Sequence, residues 1–172
     1  MLGRDPRRHA RIHLTPGKAP QMDELLRCLA QLFPETERTE MVIFGSAAIV
    51  LQGVDIGRSV GDLDVFVSQA TFEALAVRFG KQEKPGSDGP VPFIAPARKI
   101  EILASFPGVE FPIVAKRGRP NESSYGFPVG CLDDLRTWKA AQGREKDFRD
   151  IEAIDRHLSR SGAEKSDKGN GN

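Results

Sequence analysis

Between Asp62 and Val67 the chain alternates strictly: Asp62, Asp64 and Phe66 interleave with Leu63, Val65 and Val67. A period of two predicts a strand, and side chains two apart on a strand share a face. Asp62 and Asp64 are therefore expected side by side, with Leu63, Val65 and Val67 facing the other way. Paired carboxylates repel one another, and a divalent cation removes that repulsion by taking carboxylate oxygens as ligands. Magnesium commonly combines one or two protein carboxylates with substrate phosphates, so the pair points to a nucleotide-metal site. Upstream, the apolar run Met41 to Phe44 reads as a buried strand that ends at Gly45-Ser46. Ser46 is expected to cap a short helix, Ala47 to Gln52. A strand that turns into a helix presents backbone N–H groups to a phosphate, which glycine lets approach and a serine hydroxyl can bind. The same dipeptide also makes an ordinary turn.

A third carboxylate, Glu101, lies in KIEIL between Ile100 and Ile102. If its strand neighbours that of Asp64, three carboxylates converge, as two-metal phosphoryl transfer requires. The alternative is a solvated sheet face, with Glu101 paired to Lys99 or Arg98.

Around these strands the pattern is mixed. Leu25, Leu26, Leu29, Leu32 and Phe33 predict an amphipathic helix from Met22 to Phe33, stopped by Pro34. Gln69 to Phe79 reads as a helix with Phe72, Leu75, Ala76 and Phe79 on one face. Gly80 to Pro92 reads as a flexible polar loop. Lys99 to Phe106 reads as a strand, and Glu110 to Ala115 as a further short one. Val129 to Leu132 leads into a helix begun near Asp133 or Asp134 and running to about Gln142. After Gly143, Phe148, Ile151, Ile154 and Leu158 mark a last helix. The order predicts an α/β (α+β) domain: a small mixed β-sheet flanked by helices and followed by C-terminal helices.

The 172 residues suffice for one core. It is expected over 21–160, between a basic arm at 1–20 and a polar tail at 161–172, both expected to be disordered. The arm carries Arg4, Arg7, Arg8, Arg11 and Lys18 against Asp5, which reads either as a nucleic-acid contact or as a disordered leader. A net charge of +1 does not itself mark a nucleic-acid binder. Cys28 and Cys131 have no metal-like spacing and read as reduced, which predicts a cytoplasmic protein. No apolar run approaches the roughly 20 residues of a membrane helix, and the first residues lack the apolar core of a signal peptide. His9, His13 and His157 have no matched partners, and no GxxxxGK[ST], HExxH or GxSxG occurs. Tyr125 and Trp138 are candidates to stack on a base, with core packing the better reading for the tryptophan.

Taken together, GSAAIVLQG at 45–53 and RSVGDLDVFV at 58–67 resemble the signature of the nucleotidyltransferase superfamily with the DNA-polymerase-β-like fold. The pattern is most similar to AbiEii-like toxin–antitoxin nucleotidyltransferases, whose second block reads R-x-T-x-D-[IL]-D; Val60 stands where threonine is usual. VGCLDDLRTWKAAQGREKDFRDIEAI at 129–154 resembles the closing segment of that family through Lys139, Arg144, Lys146, Asp147 and Asp150. The resemblance implies Asp62, Asp64 and Glu101 as catalytic metal ligands for magnesium. It implies Gly45, Ser46, Lys139 and Arg144 as nucleotide-binding residues, with Lys146 and Asp147 structural or near the site. It further implies transfer of NMP from an NTP to an acceptor hydroxyl on RNA, tRNA first, or on protein, and a cognate toxin or antitoxin as partner. Read without the resemblance, Arg144, Lys146, Asp147 and Asp150 form a solvated helix face. Two rivals stand beside this reading. One is a catalytically silent relative that acts by binding a partner. The other is a DNA-binding module through RGRP at 117–120, which resembles an AT-hook core.

Overall fold

The computed structural model describes residues 22–86 and 89–167, with side chains to 161. The basic arm, with His9 and His13, lies outside the described residues, as do 168–172. Among the described residues seven helices and five strands follow in the order α1 (Met22–Leu32), α2 (Glu35–Arg38), β1 (Met41–Phe44), α3 (Gly45–Leu51), β2 (Leu63–Val67), α4 (Gln69–Phe79), β3 (Gln82–Lys84), β4 (Val91–Ala97), β5 (Ile100–Leu103), α5 (Phe111–Arg117), α6 (Leu132–Gln142) and α7 (Glu145–Asp167). The expected mixed α+β architecture is present. The strands form one sheet in the order β1-β2-β5-β4-β3, with β2 and β5 parallel and the other pairs antiparallel.

Burial explains the central strands. All four residues of β1 are buried, and β2 exposes only Asp64 in part. Leu25, Leu26 and Leu29 of α1 and Phe72 and Leu75 of α4 bury their apolar stripes in the same core. Ser68 caps α4, its hydroxyl accepting from the Thr71 N–H at 3.1 Å. Under the site-bearing end of the sheet lies an aromatic cluster. Phe44 meets Phe106 at 4.9 Å and Trp138 at 5.5 Å between ring centroids, and Phe66 meets Phe106 at 4.8 Å. Trp138 is thus a core residue, as its sequence context suggested.

Four local expectations are corrected. Glu110 to Ala115 is not a strand: Pro112 sits in the first turn of α5, where its missing N–H costs no helical hydrogen bond. The Gly80–Pro92 segment is not simply a loop, since β3 lies within it and β4 begins in it. On α7, Phe148 and Leu158 are exposed, and the buried positions are Asp147, Asp150, Ala153 and Ile154. That helix also runs to Asp167, through the first part of the segment expected to be disordered.

The aromatic cluster predicts the cost of opening it. Phe44 is fully buried, so Phe44→Ala is expected to lower the unfolding free energy by about 3–5 kcal/mol, read as a shift of the urea midpoint at unchanged slope.

Candidate active site

Gly45 sets the geometry. Its φ is +67°, a left-handed conformation that side chains disfavour. A Cβ at this position would overlap Oδ2 of Asp64. The glycine therefore permits both the turn out of β1 and the close approach of the carboxylate. Asp64 reaches it because Phe44 and Asp64 are partners across β1 and β2. Ser46 does not cap a helix as expected. α3 starts at Gly45 behind Phe44 with no side-chain cap, and the Ser46 hydroxyl instead accepts from Arg58 Nη2 at 3.0 Å and Lys139 Nζ at 3.2 Å.

The strand order also supplies the condition set for Glu101. β2 and β5 are neighbours, and Asp64 is the register partner of Glu101. Asp62, just before β2, Asp64 and Glu101 line one cleft of about 490 Å³, together with Ser46, Arg58, Lys84, Lys139, Gln142, Arg144 and Lys146. Burial, and then the negative charge of Asp62, push the Asp64 carboxyl up to about 7; Glu101 adds to the rise, while Lys84 and Lys139 oppose it. Glu101 is ion-paired, but to Lys84 of β3 rather than to Lys99 or Arg98. Among the described residues no group of three or more His, Cys, Asp or Glu is arranged to hold a metal ion. The donor chemistry nevertheless suits magnesium. The donors are all hard oxygens, two carboxylates suffice when phosphates complete the shell, and the repulsion bearing on Asp64 is what a cation would relieve.

The helical wall of the cleft is an ion cluster. Lys139 on α6 is 1% exposed and pairs with Asp147 at 3.0 Å and Asp150 at 2.8 Å, both fully buried on α7. Arg58 reaches the same Asp150 oxygen at 2.7 Å. Arg144 pairs with Asp147 at 2.6 Å and keeps 46% of its side chain exposed. Burial alone would raise the Asp147 carboxyl, but the hydrogen bonds from Arg144 and Lys139 hold it below its ordinary value. The solvated-face reading thus fails for Asp147 and Asp150, though Arg144 and Lys146 are exposed. Arg58 belongs to the RSVGDLD block in sequence, but its bridge from Ser46 to Asp150 has no signal in the local sequence.

Other singled-out residues lie elsewhere. Arg117 pairs with Asp134 at 2.7 Å and Asp133 at 3.2 Å. Arg119 donates to the carbonyls of Lys116 and Gly118, and its backbone bridges to Val129. Both arginines of RGRP are therefore engaged within the fold. The Tyr125 hydroxyl donates to Asp23 at 2.8 Å. Cys28 and Cys131 are free thiols. Among the described residues no helix is long and apolar enough to cross a membrane.

A solved structure similar to this chain is the crystal structure of an antigenic nucleotidyltransferase-like protein from Paracoccidioides brasiliensis, at a TM-score of 0.44 and 17% identity, covering 78% of this chain and 75% of that one. No protein-family model matches the chain, and no curated protein matches it.

Two predictions follow from these charges. In the fold the Asp64 carboxyl is pushed up to about 7 from an ordinary value of 3.8, by burial and by the charge of Asp62. The folded protein therefore binds more protons than the unfolded chain between those values, and metal-free stability falls as pH rises from about 4 through about 7. Asp64→Asn is expected to flatten that limb in melts run across pH. The Asp147 shift has the opposite sign and acts only below 3.8, so the two windows separate. Lys139→Met leaves two buried carboxylates without their shared counter-charge and is expected to cost about 3–5 kcal/mol in denaturant unfolding.

Proposed function

We propose that this chain is a magnesium-dependent nucleotidyltransferase that moves NMP from an NTP to an acceptor hydroxyl. The observation that carries the reading is the contact of Asp64 with Gly45, which sets a carboxylate flanked by Asp62 and Glu101 at a Gly-Ser turn, facing cationic side chains. An acidic floor opposite a basic wall suits a polyphosphate accompanied by a divalent cation. A volume of about 490 Å³ is in the range of small-molecule sites.

Asp62 and Asp64 would hold magnesium, which supplies charge neutralisation at the phosphates and acidifies the acceptor hydroxyl. The protein's own groups divide the remaining work. Arg144 and Lys146, exposed along the cleft, balance the charge of the triphosphate, while Lys139, neutralised by Asp147 and Asp150, holds the Ser46 hydroxyl in place. Gly45 and Ser46 line the approach of the phosphates. The acceptor oxygen attacks the α-phosphorus in line, its proton passes to a carboxylate of the cleft, and the bond to pyrophosphate breaks. Arg58, Asp62 and Asp64 stand in the block that resembles the AbiEii-like enzymes, which favours the toxin–antitoxin or abortive-infection type. RNA, tRNA first, is the acceptor class this analogy favours, ahead of protein.

Label transfer tests the reading. The protein is incubated with each α-labelled NTP, magnesium and a cell extract, and the products are treated separately with nuclease and protease. Label that nuclease removes and protease does not is expected with the wild-type protein. Asp62→Ala and Asp64→Ala are expected to drop it to background while keeping cooperative melts. Equal labelling by wild type and both variants would reject the assignment.

A further inference from the structure

Lys84 and Glu101 form an ion pair across the sheet. Lys84 lies on β3 and Glu101 on β5, with β4 between them. The lysine stem therefore spans a whole strand, over Phe93 of β4, to deliver its ammonium to the carboxylate. The ammonium also lies 5.4 Å from the centroid of the Phe93 ring, a distance at which a cation is held by the ring face. Both ends of the pair keep about a third of their surface in solvent, 36% for Lys84 and 30% for Glu101. A pair so exposed holds weakly and exchanges readily.

Glu101 faces Asp64 across the parallel β2–β5 register, so three acids share the cleft and one of them is ion-paired to a lysine. We propose that Lys84 is a built-in counter-cation: it occupies Glu101 while the cleft holds no ligand, and yields that carboxylate to a divalent cation held by Asp62 and Asp64. The inference rests on the metal reading given above and goes beyond it, because it makes the third carboxylate conditional. On exchange, Lys84 stays over Phe93 with its ammonium free inside the cleft, where the phosphates of an incoming nucleotide are its natural partner. Metal alone must compete with the lysine for Glu101. Metal arriving with a triphosphate does not, since the phosphates take the lysine in return. The cleft is thus biased toward loading the two together.

Manganese titration of the nucleotide-free protein, followed by the EPR signal of the free ion, tests this without any turnover. Lys84→Met, which keeps the aliphatic stem over Phe93, is expected to bind manganese roughly fivefold more tightly than wild type, the effect of releasing one partly exposed ion pair. In a Glu101→Gln background the same substitution is expected to change the affinity by less than about twofold, because the carboxylate it frees is gone. Identical affinities for wild type and Lys84→Met would overturn the proposal. Equal tightening in both backgrounds would also overturn it, since that outcome reports only the net charge of the cleft. Manganese binding that survives Asp62→Asn/Asp64→Asn would instead remove the metal reading itself, and the inference with it. Thermal melts of each variant establish that the comparison is between folded proteins.

Discussion

A buried ammonium must be neutralised where it lies, and in this protein that requirement organises the cleft. Lys139 sits between Asp147 and Asp150, Asp150 also takes Arg58, and Lys139 and Arg58 both donate to Ser46. The cluster therefore joins four pieces of chain: the turn after β1, the loop before β2, α6 and α7. That loop delivers Asp62, so the position of an acid on the floor depends on a lysine in the wall. Asp147 and Asp150 lie one helical turn apart, which lets one helix face grip one ammonium from both sides. Gly143, at φ +65° between the two helices, makes the sharp reversal that brings Lys139 back over that face.

The two sides of the cleft are built differently. Two of its acids come from the sheet, where register fixes Asp64 beside Glu101 and leaves little room for the carboxylates to separate. Its most exposed bases, Arg144 and Lys146, come from the start of α7 and the residue just before it, on side chains that can reorient. A rigid acidic floor and an adaptable basic wall are what a site needs if the ion is placed first and the flexible part of the ligand is gathered around it.

Much of this arrangement was legible in the residues. The apolar run of β1, the alternation in β2 and the stripe on α4 identified those elements to the residue or within one, because each obeys a local period. The neighbouring of β2 and β5 could be posed as a condition but not read, since strand order is a property of the whole chain. The β3–β4 hairpin was hidden by its own composition: Pro92 and Pro96 withhold N–H groups, the register slips between Ile94 and Ala97, and Gln82, Glu83 and Lys84 show no apolar alternation. Asp147 and Asp150 read as a solvated face because nothing near them in sequence announces the buried lysine. The phenylalanine and leucine that mark α7 in sequence are its exposed positions, whereas two of its acids point inward. Helical periodicity locates a helix, but burial can be bought with ion pairs instead of methyl groups, and hydropathy is blind to that choice.

The two ends of the sheet have a bearing on how the molecule behaves in a crowded solution. At one end β1 is bridged to the segment around Val129, which is bridged in turn to Arg119. At the other, the outermost strand is three residues long and carries a glutamine, a glutamate and a lysine. A strand margin that is short and charged is a poor template for a foreign strand, and one already bridged along its flank has less backbone to offer. The polar hairpin so hard to recognise as a strand thereby terminates the sheet, guarding a core rich in phenylalanine and valine from growing by self-association.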